Sequence, residues 1–286
     1  GFHETLLPAV GMYTSTSNLV GPGTTCMAAM SPCPTGYGYK GDIRPSSSGQ
    51  FGVGGRYRVT DETEVGIYFL NYKDRSPSIV FGRDGYRIKY FDDIKMLGTT
   101  VSTTFGKFSA FGEASYRKGA SVSVTTAASP FPVAVRGDIV QANVGGIFNI
   151  GRTAFADDVS LAAEISGARV MSVEDGFSTS QLSNKTRNSL VGGATLTLGY
   201  PGVFEGWDLT IPISYQSQLR GRSSVGTFGG GQSDSRFSIG ATFVRKSNFS
   251  LNVTYAAYLG NPSADALRGR SMADRDQLSV TAKYSF

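Results

Sequence analysis

From residue 48 onward, apolar and polar residues change places at almost every step, and no other feature limits the fold so tightly. In SGQFGVGGRYRV, Phe51, Val53, Tyr57 and Val59 share one side, while Gln50, Arg56 and Arg58 share the other. KFSAFGEASYR sets Phe108, Ala110, Ala114 and Tyr116 against Lys107, Ser109, Glu113, Ser115 and Arg117. DIVQANVGGIFNI, NSLVGGATLTLGY, WDLTIPISYQS, RFSIGATFV and FSLNVTYAAYL repeat the scheme. A period of two means strands with one apolar and one polar face, and few windows carry the spacing of a helix. Several runs reach about 10–14 residues, beyond the five or six usual in globular strands and enough to cross a bilayer at a tilt.

The connections sort by length. Short ones, TDET (60–63), FGK (105–107), GRTAFADD (151–158), PGVFEG (201–206) and KSN (246–248), take turns with long ones near 74–86, 118–136, 172–187, 219–234 and 261–274. A meander with short turns at one end and long loops at the other is the pattern of a transmembrane β-barrel. A soluble sandwich has no reason to sort its loops this way. Phe105, Phe108, Tyr200, Trp207, Phe249, Tyr284 and Phe286 gather near the short-turn ends, as in an interfacial girdle. The final stretch, DQLSVTAKYSF, alternates to its last residue. With Tyr284 and Phe286 it is similar to the terminal signal by which bacterial outer-membrane barrels are recognised by their assembly machinery.

Composition fits such a wall. Glycine takes 37 of 286 positions, about twice its usual share of about 7%. Charged residues make up 17%, below the usual quarter. No stretch approaches the roughly 18 apolar residues of a membrane helix, which leaves a closed barrel as the way to span a bilayer. GFHETLLPAV has neither the basic start nor the long apolar run of a signal peptide. The net charge of +5 is spread without a Lys/Arg stripe, so no nucleic-acid partner is expected.

Chemistry-bearing residues are few. Cys26 and Cys33, with no histidine near them, have too few companions for zinc and suit a loop disulfide. The one histidine, His3, sits in an irregular stretch and offers no general base, so the chain is not read as an enzyme. GTFGGGQ (226–232) lacks the ending of a phosphate loop. Asp157 with Asp158, and Asp274 with Asp276, are too few oxygens for calcium. No metal and no cofactor are expected. Arg268, Arg270 and Arg275 in the last long loop, with Arg220 and Arg222 in the previous one, could meet lipopolysaccharide phosphates; a solvated loop is the plainer reading. Arg56, Arg58, Lys107, Glu113, Arg117, Glu164 and Lys283 fall on polar faces and are expected to line a wet lumen. Pro212 sits inside the apolar alternation of WDLTIPISY, and because proline removes a ladder donor and is tolerated mainly at edges or bulges, it predicts a bulge in the wall.

About eleven strands are legible between residues 48 and 286, whereas single-chain bacterial barrels normally have an even number. A twelfth could lie in LPAVGMYTSTS (7–17), making 18–47 a long external loop, or further strands could precede Gly1.

GMYTSTSNLVGPG (11–23), SSGQFGVGGRY (47–57), DIKMLGTTVSTTFGKFSAFGEASYR (93–117), GWDLTIPISY (206–215) and ADRDQLSVTAKYSF (273–286) occur in an order that resembles the proteobacterial outer-membrane family catalogued as domain of unknown function 1302. Its members are longer, and the match resembles their C-terminal part. The resemblance implies an all-β antiparallel transmembrane barrel in the outer membrane, similar to the fatty-acid-transporter type that admits hydrophobic compounds. In that type a strand kink can open a lateral exit, a role Pro212 would then take. Passive uptake of hydrophobic or amphipathic small molecules is the expected function. A general porin for small polar solutes, or a structural or adhesion barrel acting through its loops, are the rivals. The expected partners are outer-membrane lipid and lipopolysaccharide, the assembly machinery and a small-molecule substrate.

Overall fold

The computed structural model of the protein describes residues 19–20, 37–82, 85–127, 129–223, 231–245, 248–263, 265, 267–270, 272–273 and 275–285. The described part of the chain is nearly all strand. β1 (Leu19–Val20) and β2 (Tyr37–Ile43) come first, then β3 (Phe51–Arg58) and β4 (Thr63–Tyr72). β5 (Ser78–Gly82) and β6 (Gly85–Lys89) precede β7 (Ile94–Phe105), β8 (Phe108–Thr126) and β9 (Ser129–Asn149). β10 (Asp158–Val173), β11 (Asn188–Phe204), β12 (Trp207–Arg220), β13 (Ser235–Arg245), β14 (Phe249–Leu259) and β15 (Gln277–Tyr284) complete the order, with one 3-10 turn at Thr179–Gln181.

Eleven of these strands, from β3 to β15 without β5 and β6, pair in sequence order as one antiparallel meander. It is the wall of a transmembrane β-barrel. The strand count matches the sequence reading. The parity follows: β3 and β15 run in the same direction and lie at the two ends of the sheet.

Residues paired directly across an antiparallel ladder point to the same face, so the register assigns every side chain to one side of the wall. Val53, Phe69, Leu97, Tyr116 and Val140 form one apolar row. Ile213, Ile239, Tyr255 and Leu278 continue that face across the later strands. Most of these side chains are exposed. An apolar surface of this extent exceeds what a soluble monomer shows, and it marks the lipid side. Phe105, Phe108, Tyr200, Trp207, Phe249 and Tyr284 lie on this face, toward the short turns. Trp207 meets Phe249 edge to face at 5.9 Å, with the Arg245 guanidinium 5.7 Å from the indole. Phe286 is outside the described residues.

Three stretches expected as loops contain strand, and in 74–86 it is Ser78–Gly82. The long loop expected over 118–136 is mostly strand: β8 and β9 run on to Thr126 and from Ser129. Val122 and Val124 alternate there and pair with Val135 and Val133, so the ladder continues through the expected loop. Within 18–47, expected as an external loop, Tyr37–Ile43 is a strand that pairs in parallel with Gly85–Lys89 in a small second sheet.

Candidate functional site

The other face of the wall is polar, and the register gathers the expected lumen residues onto it. One transverse row runs Arg58, Glu64, Ser102, Phe111, Gly145, Glu164, Gly193 and Gln216. The next runs Arg56, Gly66, Thr100, Glu113, Asn143 and Ser166. Arg117 pairs with Ile139, and Lys283 with Ser250, on this same side. Lys107 is the exception: it occupies the turn before β8, where its Nζ donates to the Ile150 carbonyl at 3.1 Å.

Local bonds hold several of these groups. Arg56 Nε donates to the Tyr68 hydroxyl at 2.7 Å, and its guanidinium lies 3.7 Å from Glu64. Arg117 donates to Gln141. Asn143 Nδ2 and Ser166 Oγ both donate to the same oxygen of Glu164, Oε1, at 3.2 and 2.9 Å. Arg117 Nε and Asn143 Oδ1 are sheltered and find no partner among the described residues. Wall residues with orphaned polar atoms are places where water or a ligand completes the bonding.

Two grooves open on this face. One, about 400 Å³, is lined by Arg56, Tyr68, Thr100, Glu113, Arg117 and Asn143. The other, about 390 Å³, lies over β8–β12 between Phe111, Ile147, Ala162, Glu164, Thr195 and Gln216. Both volumes are within the range of small-molecule sites. Glycines shape them. A Cβ on Gly145 would stand 2.6 Å from the Phe111 ring, and one on Gly54 would stand 2.5 Å from the Tyr68 ring. Each ring lies across a neighbouring strand where no side chain stands, the cross-strand covering of glycine by an aromatic group. Much of the high glycine content is therefore spatial.

At the long-loop end the polar face turns apolar. Ile94, Val122, Val124, Val135, Ile139 and Val170 form a buried cluster there, closed over by Phe91 and Leu182. By register the wall members stand on the lumen side. Arg136 pins the covering segment: its guanidinium donates to Asp92 Oδ1 and to the Asp92 carbonyl, each at 2.6 Å, and lies 5.6 Å from the Phe91 ring. Val122, Val124 and Val135 of this cluster fall within 118–136, the stretch expected to be a loop. The alternation of SVSV and VAV would have disclosed it.

The expected bulge at Pro212 is absent. Pairing with β11 and β13 keeps the same register on both sides of it. Only the rungs Ile211–Ala241 and Pro212–Gly240 are missing from the β12–β13 ladder, as expected where proline brings no N–H. The register does shift in the same strand, at Leu219 between Arg220 and Gln218.

Elsewhere, Asp157 pairs with Arg152 at 3.2 Å. Asp276 accepts from the Tyr255 hydroxyl at 2.7 Å and the Tyr258 N–H at 3.0 Å, which hold its carboxyl below the usual range. The last two long loops meet: Gly231 N–H donates to the Gly269 carbonyl at 2.6 Å, and Arg270 donates to the Ser233 carbonyl at 3.3 Å. That contact brings the arginine-bearing segments of both loops together. Arg268 N–H donates to Asp265, and Arg220 ends β12; Arg222 and Arg275 lie in these same loops. His3, Cys26, Cys33 and Asp274 lie outside the described residues.

The family model described as a protein of unknown function, DUF1302, matches residues 1–286. No curated protein matches the chain. Two solved structures of OmpT of Vibrio cholerae, one expressed in the outer membrane and one folded in vitro, are similar in outline. They align over 82% of this chain and 88% of theirs, at 13% and 14% identity and a TM-score of 0.37.

Proposed function

The chain belongs to the DUF1302 family of proteins of unknown function, and from its own two faces we propose that it takes up hydrophobic or amphipathic small molecules passively across a bacterial outer membrane. The observation that carries this reading is the apolar cluster around Phe91 and Ile139 at the lumen's long-loop end, above grooves that mix apolar and polar walls. A pore for small polar solutes gains nothing from burying apolar side chains in its path. Substrate would be captured among the long loops, pass the two grooves and leave down its gradient. No reaction or cofactor is needed. The paired arginine-bearing loops would sit against lipopolysaccharide phosphates, and Tyr284 on the lipid face would serve the assembly machinery.

The polar rows of the lumen face favour one rival, a general porin. Reconstitution separates them. Saturable uptake of an uncharged amphiphile such as octanol into vesicles, with no steady current in planar bilayers, is the expected result. A steady open-channel current without saturable uptake would replace this reading with the porin.

A further inference from the structure

The groove over β8–β12 is unlike the rest of the lumen face. Phe111 and Ile147 are apolar side chains turned to the polar side by register, yet 39% and 43% exposed. Phe111 covers Gly145, but its outer face and Ile147 still present apolar surface that a wet lumen does not call for. Between them and Gln216 stands Glu164, the one charged side chain among the described residues that line this groove. Its direct cross-strand neighbours on both sides are glycines, Gly145 and Gly193. The Phe111 ring lies over Gly145, so the carboxylate stands between that ring on one flank and bare Gly193 on the other.

Its bonding is one-sided. Asn143 and Ser166 both donate to Oε1, and among the described residues none donates to Oε2. One oxygen is fixed and the other faces the groove as a free acceptor. No cation among the described residues pairs with it. Arg117 lies in the adjoining groove and donates to Gln141. Arg236 stands three strands away along the row through Gly193 and Gln216, about 14 Å at the usual strand spacing. Glu113, one row over, adds a second negative charge.

We propose that this groove binds an amphiphile headed by an aliphatic amine, with the ammonium donating to Glu164 Oε2 and the tail lying on Phe111 and Ile147. An anionic head would meet two carboxylates there, and a neutral head would forgo the charge-assisted bond. The inference rests on the uptake reading and narrows it to cationic amphiphiles.

Calorimetric titration of the full chain, refolded in a nonionic detergent, tests it with three probes of equal length: octylammonium, octanol and octanoate. Octylammonium is expected to bind saturably and about tenfold more tightly than the other two, the scale of one charge-assisted bond open to solvent. Glu164→Gln should bring octylammonium down to the level of octanol. Gly193→Val, which fills the floor where a Cβ meets its nearest atom at 3.3 Å, should weaken octylammonium and octanol alike. Heat-modifiable gel migration identifies the folded variants. Octanoate binding as tightly as octylammonium, or octylammonium unmoved by Glu164→Gln, overturns the proposal. Octanol uptake into vesicles separates the two levels: if it persists while binding ignores the head group, only the amine specificity falls. If it is absent as well, the uptake reading falls with it.

Discussion

Gly145 has no room for even a methyl group: a Cβ would stand 2.6 Å from the Phe111 ring and 2.8 Å from the Ala163 carbonyl, and backbone cannot yield as a flexible side chain does. Gly55, on the lipid face of β3, has nothing within 4 Å. Gly145→Ala is therefore expected to destabilise the wall by about 1–3 kcal/mol, the usual cost of overpacking, and Gly55→Ala to leave it unchanged. Urea titrations of both in vesicles, read by heat-modifiable migration, check the pair. Equal behaviour would mean that glycine serves chain flexibility here and not space. Asp276 gives a second test. Its Tyr255 and Tyr258 donors hold the carboxyl below its ordinary value, so the folded state favours the ionised form. That stabilisation is present above about pH 4, the ordinary carboxylate range, and is lost as pH falls through the lowered value. The 261–276 connection should thus become open to an acid-active protease at low pH in the wild type, and at neutral pH already in Asp276→Ala. No difference between the two at neutral pH would remove this anchoring role.

At the scale of strands, alternation made most of the wall legible, because a side chain on the wrong face of a two-sided sheet meets the wrong solvent. The short turns fell where the pattern broke, at residues such as Gly106 and Gly206, both of which adopt positive φ. What escaped was the apolar extension of β8 and β9, where serine, threonine and alanine dilute the signal and Pro130 and Pro132 suggest a loop. The pairing of Glu164 with two glycines also escaped, since register between strands is not written in either strand alone. Pro212 shows the converse error: its effect on the ladder was read correctly as a lost donor, but a lost donor does not require an extra residue. Its ring faces the lumen side, opposite Gly240. Pro212→Val should restore an N–H toward β13, slow exchange of the amides around Ala241, and leave octanol uptake unchanged. A marked loss of uptake would instead give the interrupted ladder a part in substrate exit.

The molecule as a whole depends on one separation, lipid against one face and water against the other, and adjacent residues can test it. Eleven strands in an up-and-down order leave β3 and β15 parallel to each other, so these two cannot pair with one another in the antiparallel manner of the rest of the wall. The eleven-strand count and the two faces of each strand were already visible in the sequence; how residues of neighbouring strands join into rows needed the register. Ile239 and Ser238 sit side by side in the middle of β13. Ile239 is 40% exposed on the apolar face between Ile213 and Tyr255. Ser238 points to the lumen between Ser214 and Ala256. Arginine at the midplane of a lipid-facing barrel position costs about 2–4 kcal/mol, whereas a lumen position tolerates charge. Ile239→Arg should therefore lower folding into lipid vesicles by about that amount, while Ser238→Arg, one residue away, folds like the wild type. Denaturant titration in vesicles reads both. If the two arginines cost the same, or the Ser238 variant is the worse, the faces are reversed or the sheet is not a membrane wall, since a soluble layered packing would bury Ile239 and Tyr255 together and penalise the same site for a different reason. Repeating the pair in nonionic micelles and in bilayers distinguishes those outcomes: a cost that grows with bilayer thickness belongs to lipid, and one that is indifferent to the amphiphile belongs to a protein core.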